Sequence, residues 1–397
     1  MAVNDNNKYD EVAAMRNKKR RKKRTHLWII LGVLAAAAVI ISVIAFNMKG
    51  FTSYKQVGSE AVKSDEPGAV YAAFNEGYVR SSHSGTEYVD ASGNTKWNET
   101  GTFSDPKITV CGEKIFVADM GGNSVDVFDA SGHLGKVETP YSIYEFSGTE
   151  DGRVAIMTQD NNVNYLELYE MSGEPVYSIK TSLSGDGYPL AFDVTGDGKM
   201  LVMSFVKAET KPAQTGIRFY DFSGGAATES SRIAAEFSNF DGELNGDICC
   251  FKNGNTAVVS EHTVRFYGRD TKGVSLKSEE ELFEEYEGIV KRVLKSSDRI
   301  ALILSTEDAE EPERLIVYSD AGKKLCDTGL TEGYDKYVLE SGRVMMTSSN
   351  RFAVYTTSGN EITKQLSDKP VSALIGNGAG NRFFLVSDGQ VQRIKLS

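Results

Sequence analysis

The side chains most able to do chemistry are few and far apart. Histidine occurs four times, as His26, His83, His133 and His262, and no two stand at a spacing that would bring both imidazoles to one metal ion. His83 sits among serines in residues 81–85 (SSHSG), the residue types of nucleophilic catalysis. The segment reads more simply as a solvated turn between two strands. Residues 193–198 (DVTGDG) offer oxygen ligands at alternate positions, as calcium loops do, but the closing bidentate glutamate is missing. With 55 acidic residues in the chain, no carboxylate pair is distinguished by spacing as a glycosidase pair. G-x-S-x-G, H-E-x-x-H, Walker A and G-x-G-x-x-G patterns do not occur. The expectation is no catalytic residue, no metal and no cofactor.

What does concentrate is acid. Residues 278–288 (SEEELFEEYEG) carry Glu279, Glu280, Glu281, Glu284, Glu285 and Glu287, with Leu282, Phe283 and Tyr286 at helix-like spacing. Residues 305–314 (STEDAEEPER) carry Glu307, Asp308, Glu310, Glu311 and Glu313. If the fold makes these segments neighbours, their carboxylates and the interleaved Tyr286 form a docking patch for a basic partner, since contact surfaces need anchors as well as charge. The plain alternative is a solvated loop surface.

The elements that would position them are strands. Two turn signals alternate from residue 67 to the C-terminus. The first is a Gly/Asp/Asn turn between apolar runs, as in NEGY (75–78), EDGR (150–153), GDGK (196–199), KNGN (252–255), ESGR (340–343) and GAGN (378–381). The second follows another strand: DASG (90–93), DASG (129–132), EMSG (170–173), DFSG (221–224), DTKG (270–273), SDAG (319–322) and TTSG (356–359). Such turns need positive φ, which Gly, Asn and Asp supply. Each repeat is then a four-stranded unit a–b–c–d, and the repeat length suits the blade of a β-propeller. Eight blades are expected, with seven the alternative because the fifth unit matches least; a β-helix or stacked sandwiches would also accommodate such strands. The eighth unit lacks a strand d, which residues 51–62 could supply to close the ring. The extra length of some units falls in the b–c loops, so the face carrying b–c and d–a connections is where binding is expected.

The D-x-S-G and D-G-[KR] turns resemble the repeats of bacterial propellers in the quinoprotein-like and WD40-like superfamily, over residues 60–397. That resemblance implies architecture only. The tryptophan that quinoprotein repeats favour is met at Trp97 alone, and the Trp-Asp pair of WD40 repeats is absent. The whole chain also resembles membrane-anchored propeller proteins of Gram-positive bacteria.

That second likeness rests on the N-terminus. Residues 1–26 hold nine Lys/Arg against three acids, a net of +6, which leaves −17 for the remainder of a chain whose total is −11. Residues 27–46 (LWIILGVLAAAAVIISVIAF) carry no charge and would form a helix about 30 Å long, the thickness of a bilayer core. The basic run before it directs the N-terminus to the cytoplasm. A cleaved signal peptide is the rival reading, though the run is longer than usual. A nucleic-acid arm is disfavoured, because a basic run beside a span orients the chain and meets anionic lipid.

The expected organisation is a cytoplasmic tail (1–26), a transmembrane helix (27–46), a linker with the ring-closing strand (47–66) and an extracytoplasmic propeller (67–397). Four cysteines, Cys111, Cys249, Cys250 and Cys326, make no disulfide framework. The expected function is a non-enzymatic binding or scaffold module engaging an envelope protein or peptide. The alternatives are an envelope-glycan enzyme with its site in the central channel, or a sensor signalling through the tail.

Overall fold

The computed structural model describes residues 50–57, 66, 68–161, 163–182, 187–207, 213–223, 232–238, 240, 243–283, 288–378 and 380–397. The basic tail and the apolar span lie outside these, as do Glu284, Glu285, Tyr286 and Glu287. No helix of the described residues is long and apolar enough to cross a membrane.

Residues 51–397 form a compact unit of eight four-stranded antiparallel sheets. Strand β1 (Tyr54–Gln56) precedes the first blade. Blades one to four are β2–β5 (Val70–Phe74, Gly77–Ser82, Gly85–Val89, Thr95–Thr100), β6–β9 (Pro106–Cys111, Lys114–Asp119, Ser124–Asp129, Gly132–Glu138), β10–β13 (Ile143–Gly148, Val154–Asp160, Val163–Tyr169, Pro175–Ser182) and β14–β17 (Tyr188–Val194, Met200–Lys207, Gln214–Asp221, Ile233–Ser238). Blades five to eight are β18–β21 (Asn245–Cys250, Thr256–Ser260, Thr263–Asp270, Gly273–Glu281), β22–β25 (Ile289–Lys295, Arg299–Ser305, Glu313–Ser319, Lys324–Leu330), β26–β29 (Lys336–Glu340, Arg343–Ser348, Arg351–Thr356, Glu361–Leu366) and β30–β32 (Val371–Gly376, Arg382–Ser387, Gln390–Leu396). This is an eight-bladed β-propeller. The fifth unit, the poorest sequence match, is a complete blade.

The last blade has only three strands of its own. Its fourth is β1, antiparallel to β32 with Tyr54 opposite Leu396. Ser53 and Ser397 exchange backbone hydrogen bonds of 2.9 and 3.2 Å, and Tyr54 packs edge-on against Phe352 at 5.3 Å. The two ends of the ring are thereby sewn together by the outermost strand.

Strand b of each blade explains the continuous apolar runs of the sequence. Side chains alternate across a sheet, and here both faces meet a neighbouring blade. Ile115 and Val117 pack towards blade one, whereas Phe116 and Ala118 pack towards blade three. Ile300, Leu302 and Leu304 likewise face blade five, and Ala301 and Ile303 face blade seven. Apolar clusters of this kind fill all eight blade interfaces, including the one between blades eight and one, where Tyr78 and Val89 meet Ile375, Phe384 and Val386. Fully burying one such aliphatic side chain contributes roughly 1.5–3 kcal/mol, so the ring is stabilised by interfaces repeated around it.

The c–d turns show why their sequence repeats. Asp90 Oδ1 accepts the amides of Ser92 and Asn94 (2.9 and 3.0 Å). Asp129 Oδ1 accepts the amide of Ser131 at 2.7 Å and its hydroxyl at 2.5 Å, and Asp221 does the same with Ser223. Among the described residues, the glycine closing the motif takes positive φ, 90° at Gly93 and 129° at Gly132. The motif is thus an Asx turn followed by a left-handed glycine. In seven blades a register shift accompanies it, at the end of strand c in six and three residues before the turn in blade five. The only quinoprotein-like tryptophan, Trp97, stacks on Phe128 and donates to the Asp129 carbonyl of the next blade at 3.0 Å.

Candidate functional site

Chain direction assigns the two faces. The a–b and c–d turns share one, the turn face; the b–c loops and d–a connections share the other, the loop face. The described part of the first acidic segment lies at the end of β21 and the second segment in the b–c loop of the neighbouring sixth blade, and several of their carboxylates are engaged within the scaffold. Glu279 and Glu281 belong to β21, in register with Arg265 and Thr263. Glu279 lies 3.3 Å from the Arg265 guanidinium and Glu280 is ion-paired to Lys324 of the next blade. Leu282 is buried between blades five and six beside Phe266 and Leu304, with Phe283 packed against the same cluster. These two are core residues, not exposed anchors.

Glu313 is the largest departure. It is 3% exposed, ion-paired to Lys291 and hydrogen-bonded by Tyr337 Oη, 2.6 Å from Oε2. Burial first, and then the bond to Glu313, push the Tyr337 phenol upward, which keeps it a donor. The group staples β24 to the inner strands β22 and β26. Glu281, Glu307, Asp308, Glu310 and Glu311 remain solvent-facing. Asp308 accepts the Glu310 amide at 2.8 Å within its own loop.

The residues with catalytic possibilities are engaged in structure. His83 Nδ1 is 2.8 Å from the Phe103 carbonyl oxygen, and His133 Nε2 is 3.0 Å from Asp126. Asp193 takes the Ser147 hydroxyl (2.6 Å) and the Val194 amide on one oxygen and the Cys250 amide (2.8 Å) on the other. Enclosure by the protein raises its proton affinity, against the pull of Lys295 and these bonds. Asp197 caps the turn, accepting from Thr195 and Lys199. Among the described residues, no three His, Cys, Asp or Glu side chains are grouped to hold a metal ion. The four cysteines are free. Burial, then the charge of Glu150, pushes the Cys111 thiol up to about 12, and burial likewise raises the other three.

The inner strands carry a feature the sequence reading missed. Counting back four residues from the last residue paired across each a–b turn gives Val70, Lys107, Glu145, Ala191, Asp247, Arg292, Lys336 and Ala373, one per blade at a single level. None of the eight is buried, although the blade interfaces around them are. An innermost strand meets solvent along the central channel, so this level forms a ring on its wall. Lys107 and Glu145 neutralise each other at 2.5 Å, and Asp247 pairs with Lys295 at 3.3 Å. Just upstream, register shifts leave Tyr144, Leu190, Gly246, Lys291 and Ser372 unpaired in five inner strands. Bulges of this kind re-aim side chains. Nearer the turn face, Glu340 accepts the Gly376 amide at 3.3 Å; burial lifts its carboxyl to about 7, against that bond and Arg343. Charged residues within otherwise apolar strands, such as KRVLK in β22, were the available signal.

Solved structures share the fold, among them the following two. A computationally designed protein, Ika8, superposes with a TM-score of 0.52 at 12% identity, covering 88% of this chain and 100% of that one. Apo AztD from Citrobacter koseri gives 0.54 at 10% identity, covering 77% and 87%. Identities this low speak for the fold alone. No curated protein sequence matches. A model described as a family of unknown function, DUF5711, matches residues 47–396, and the chain belongs to that family.

Proposed function

We propose that this propeller is a non-catalytic binding module, held at the outer face of a membrane by the apolar segment 27–46, and that it engages a basic partner protein or peptide on its loop face. The observation that carries this reading is the set Glu281, Glu307, Asp308, Glu310 and Glu311. They stand in solvent on adjacent blades, and among the described residues no ion pair reaches them. Uncompensated charge on one face steers and selects partners more than it adds raw affinity. The closing strand enters the ring on the opposite face, at Ser53 beside Ser397. The groups able to react are already committed to the scaffold: Asp193 to two amides and a hydroxyl, Glu313 to Lys291 and Tyr337, the thiols to apolar surroundings.

The test is cross-linking in whole cells that express wild type or a variant with these five acids changed to Lys. Capture of one envelope protein by wild type and its loss in the variant supports the reading. Identical capture by both, with normal folding of the variant, removes the loop face from the account.

A further inference from the structure

One row of the last blade sets three cations abreast. Arg382 of β31 is in register with Lys395 of β32, and Lys395 is in register with Lys55 of the closing strand β1. Residues paired across antiparallel strands share a face, with Cβ atoms about 5 Å apart. Lys395 lies between Ile394 and Leu396, which fill the side towards blade seven, so the row looks towards blade one. Arg382 and Lys55 are exposed and Lys395 is half-buried. Arg393, two residues before Lys395 on the same face, adds a fourth cation beside the c–d turn of blade one. A Cβ on Gly93 would stand 3.7 Å from its Nε. Two acids stand at the same corner: Asp90, which caps its own turn, and Glu76, which lies against Gly378. Like charges directly opposite one another destabilise a sheet, so the row favours a surface of opposite sign.

The course of the chain says which surface that is. Arg382 opens β31 and Lys395 is the last residue but one of β32, so the row lies at the turn face. The chain joins the propeller at the same face. Phe51 N donates to the Ile362 carbonyl at 2.7 Å, and Thr363 Oγ1 donates to the Phe51 carbonyl at 2.9 Å. Four residues, 47–50, separate Phe51 from the apolar run 27–46, a reach of at most about 18 Å. Four residues further on is Lys55. A bilayer crossed by the apolar run therefore ends close to the row, and anionic lipid attracts basic residues held near its surface.

We infer that the turn-face corner of blade eight, formed by Lys55, Arg382, Arg393 and Lys395, rests on anionic lipid headgroups of the membrane that residues 27–46 cross. The inference rests on the anchor reading proposed above and is independent of docking at the loop face.

The two lysines are their own probes. Full-length protein is placed in nanodiscs of phosphatidylcholine alone or with phosphatidylglycerol, then acylated briefly with sulfosuccinimidyl acetate. Labelling of each lysine is read by mass spectrometry. Lys369 is the reference, at the loop face of the same blade beside Asp388 at 2.9 Å. Headgroups at the row should slow acylation of Lys55 and Lys395 about threefold in the anionic discs, the scale that the surface potential of such lipid gives. Lys369 should change little, because salt confines that potential to about 10 Å. Arg382→Glu, a change at an exposed side chain, should remove most of the protection at an unchanged thermal midpoint. Inorganic phosphate added to the phosphatidylcholine discs should not reproduce it. Equal labelling in the two discs, equal protection of Lys369, full protection in Arg382→Glu, or the same protection by phosphate alone overturns the inference. Protein that alkaline carbonate strips from vesicles of the same lipids defeats the anchor reading and the inference together; retained protein with equal labelling defeats the inference alone.

Discussion

The turn face and the loop face are built from the same eight units, yet one is nearly uniform and the other is not. At the turn face an aspartate or hydroxyl caps the c–d turn in six blades, the described glycines of the motif take positive φ, and strand c shifts register next to the turn in all of these but blade five. At the loop face the connections differ in length and charge, and there Glu281, Glu307, Asp308, Glu310 and Glu311 stand on adjacent blades with no ion pair among the described residues. The difference teaches where the sequence was constrained: turn chemistry is required by strand direction in every blade, while the opposite connections have no such requirement.

Ring closure offers the sharpest way to break this comparison, because there a turn-face contact involves the chain's own end. Leu396 is fully buried in the cluster between blades seven and eight. Leu396→Ala should cost about 3 kcal/mol in chemical unfolding, a large effect for a penultimate residue, since termini usually tolerate change. A loss below ~0.5 kcal/mol would mean that β1 closes nothing of consequence.

The next effect is pH-dependent. Glu340 has its carboxyl raised to about 7 from an ordinary 4.5. The fold therefore favours the protonated form; this stability is whole below pH about 4.5 and declines as pH rises through 7. Glu340→Gln should raise stability at pH 8 by roughly 2 kcal/mol and leave it nearly unchanged at pH 4, as read by thermal unfolding at the two pH values.

Asp129 titrates in the opposite sense. The Ser131 hydroxyl, and then its amide, outweigh burial and hold the carboxyl below its usual range. That contribution is present above pH about 4 and is lost as pH falls through the depressed native value. Asp129→Ala should cost about 1 kcal/mol at pH 7, with the deficit shrinking in acid. The smallest effect belongs to the loop face: Glu307→Lys with Glu310→Lys should shift stability by less than ~0.5 kcal/mol while changing partner capture.

Architecture was legible in the sequence because turns are local. D-x-S-G states its own hydrogen bonds, and a missing strand d in the last unit states where the first strand must go. The candidate site was legible only in outline. Placing residues 278–281 and 305–314 on adjacent blades followed from the repeat, but Glu313 is buried because Lys291 and Tyr337 arrive from two other strands, which no local pattern reveals. Leu282 and Phe283 turn inward because the Leu282 amide bonds the His262 carbonyl at 2.7 Å. The ring containing Arg292 and Lys336 becomes visible only once the inner strands are aligned from their turns.

The most direct test of the account uses the contrast between faces. The native thiols are buried or raised in pKa, so a single introduced cysteine can carry a photo-cross-linker. Glu310→Cys places it on the loop face and Asp197→Cys on the turn face, in otherwise native protein. The account predicts that one partner is captured from Glu310 and not from Asp197. Capture from Asp197 alone, or equal capture from both, would contradict it.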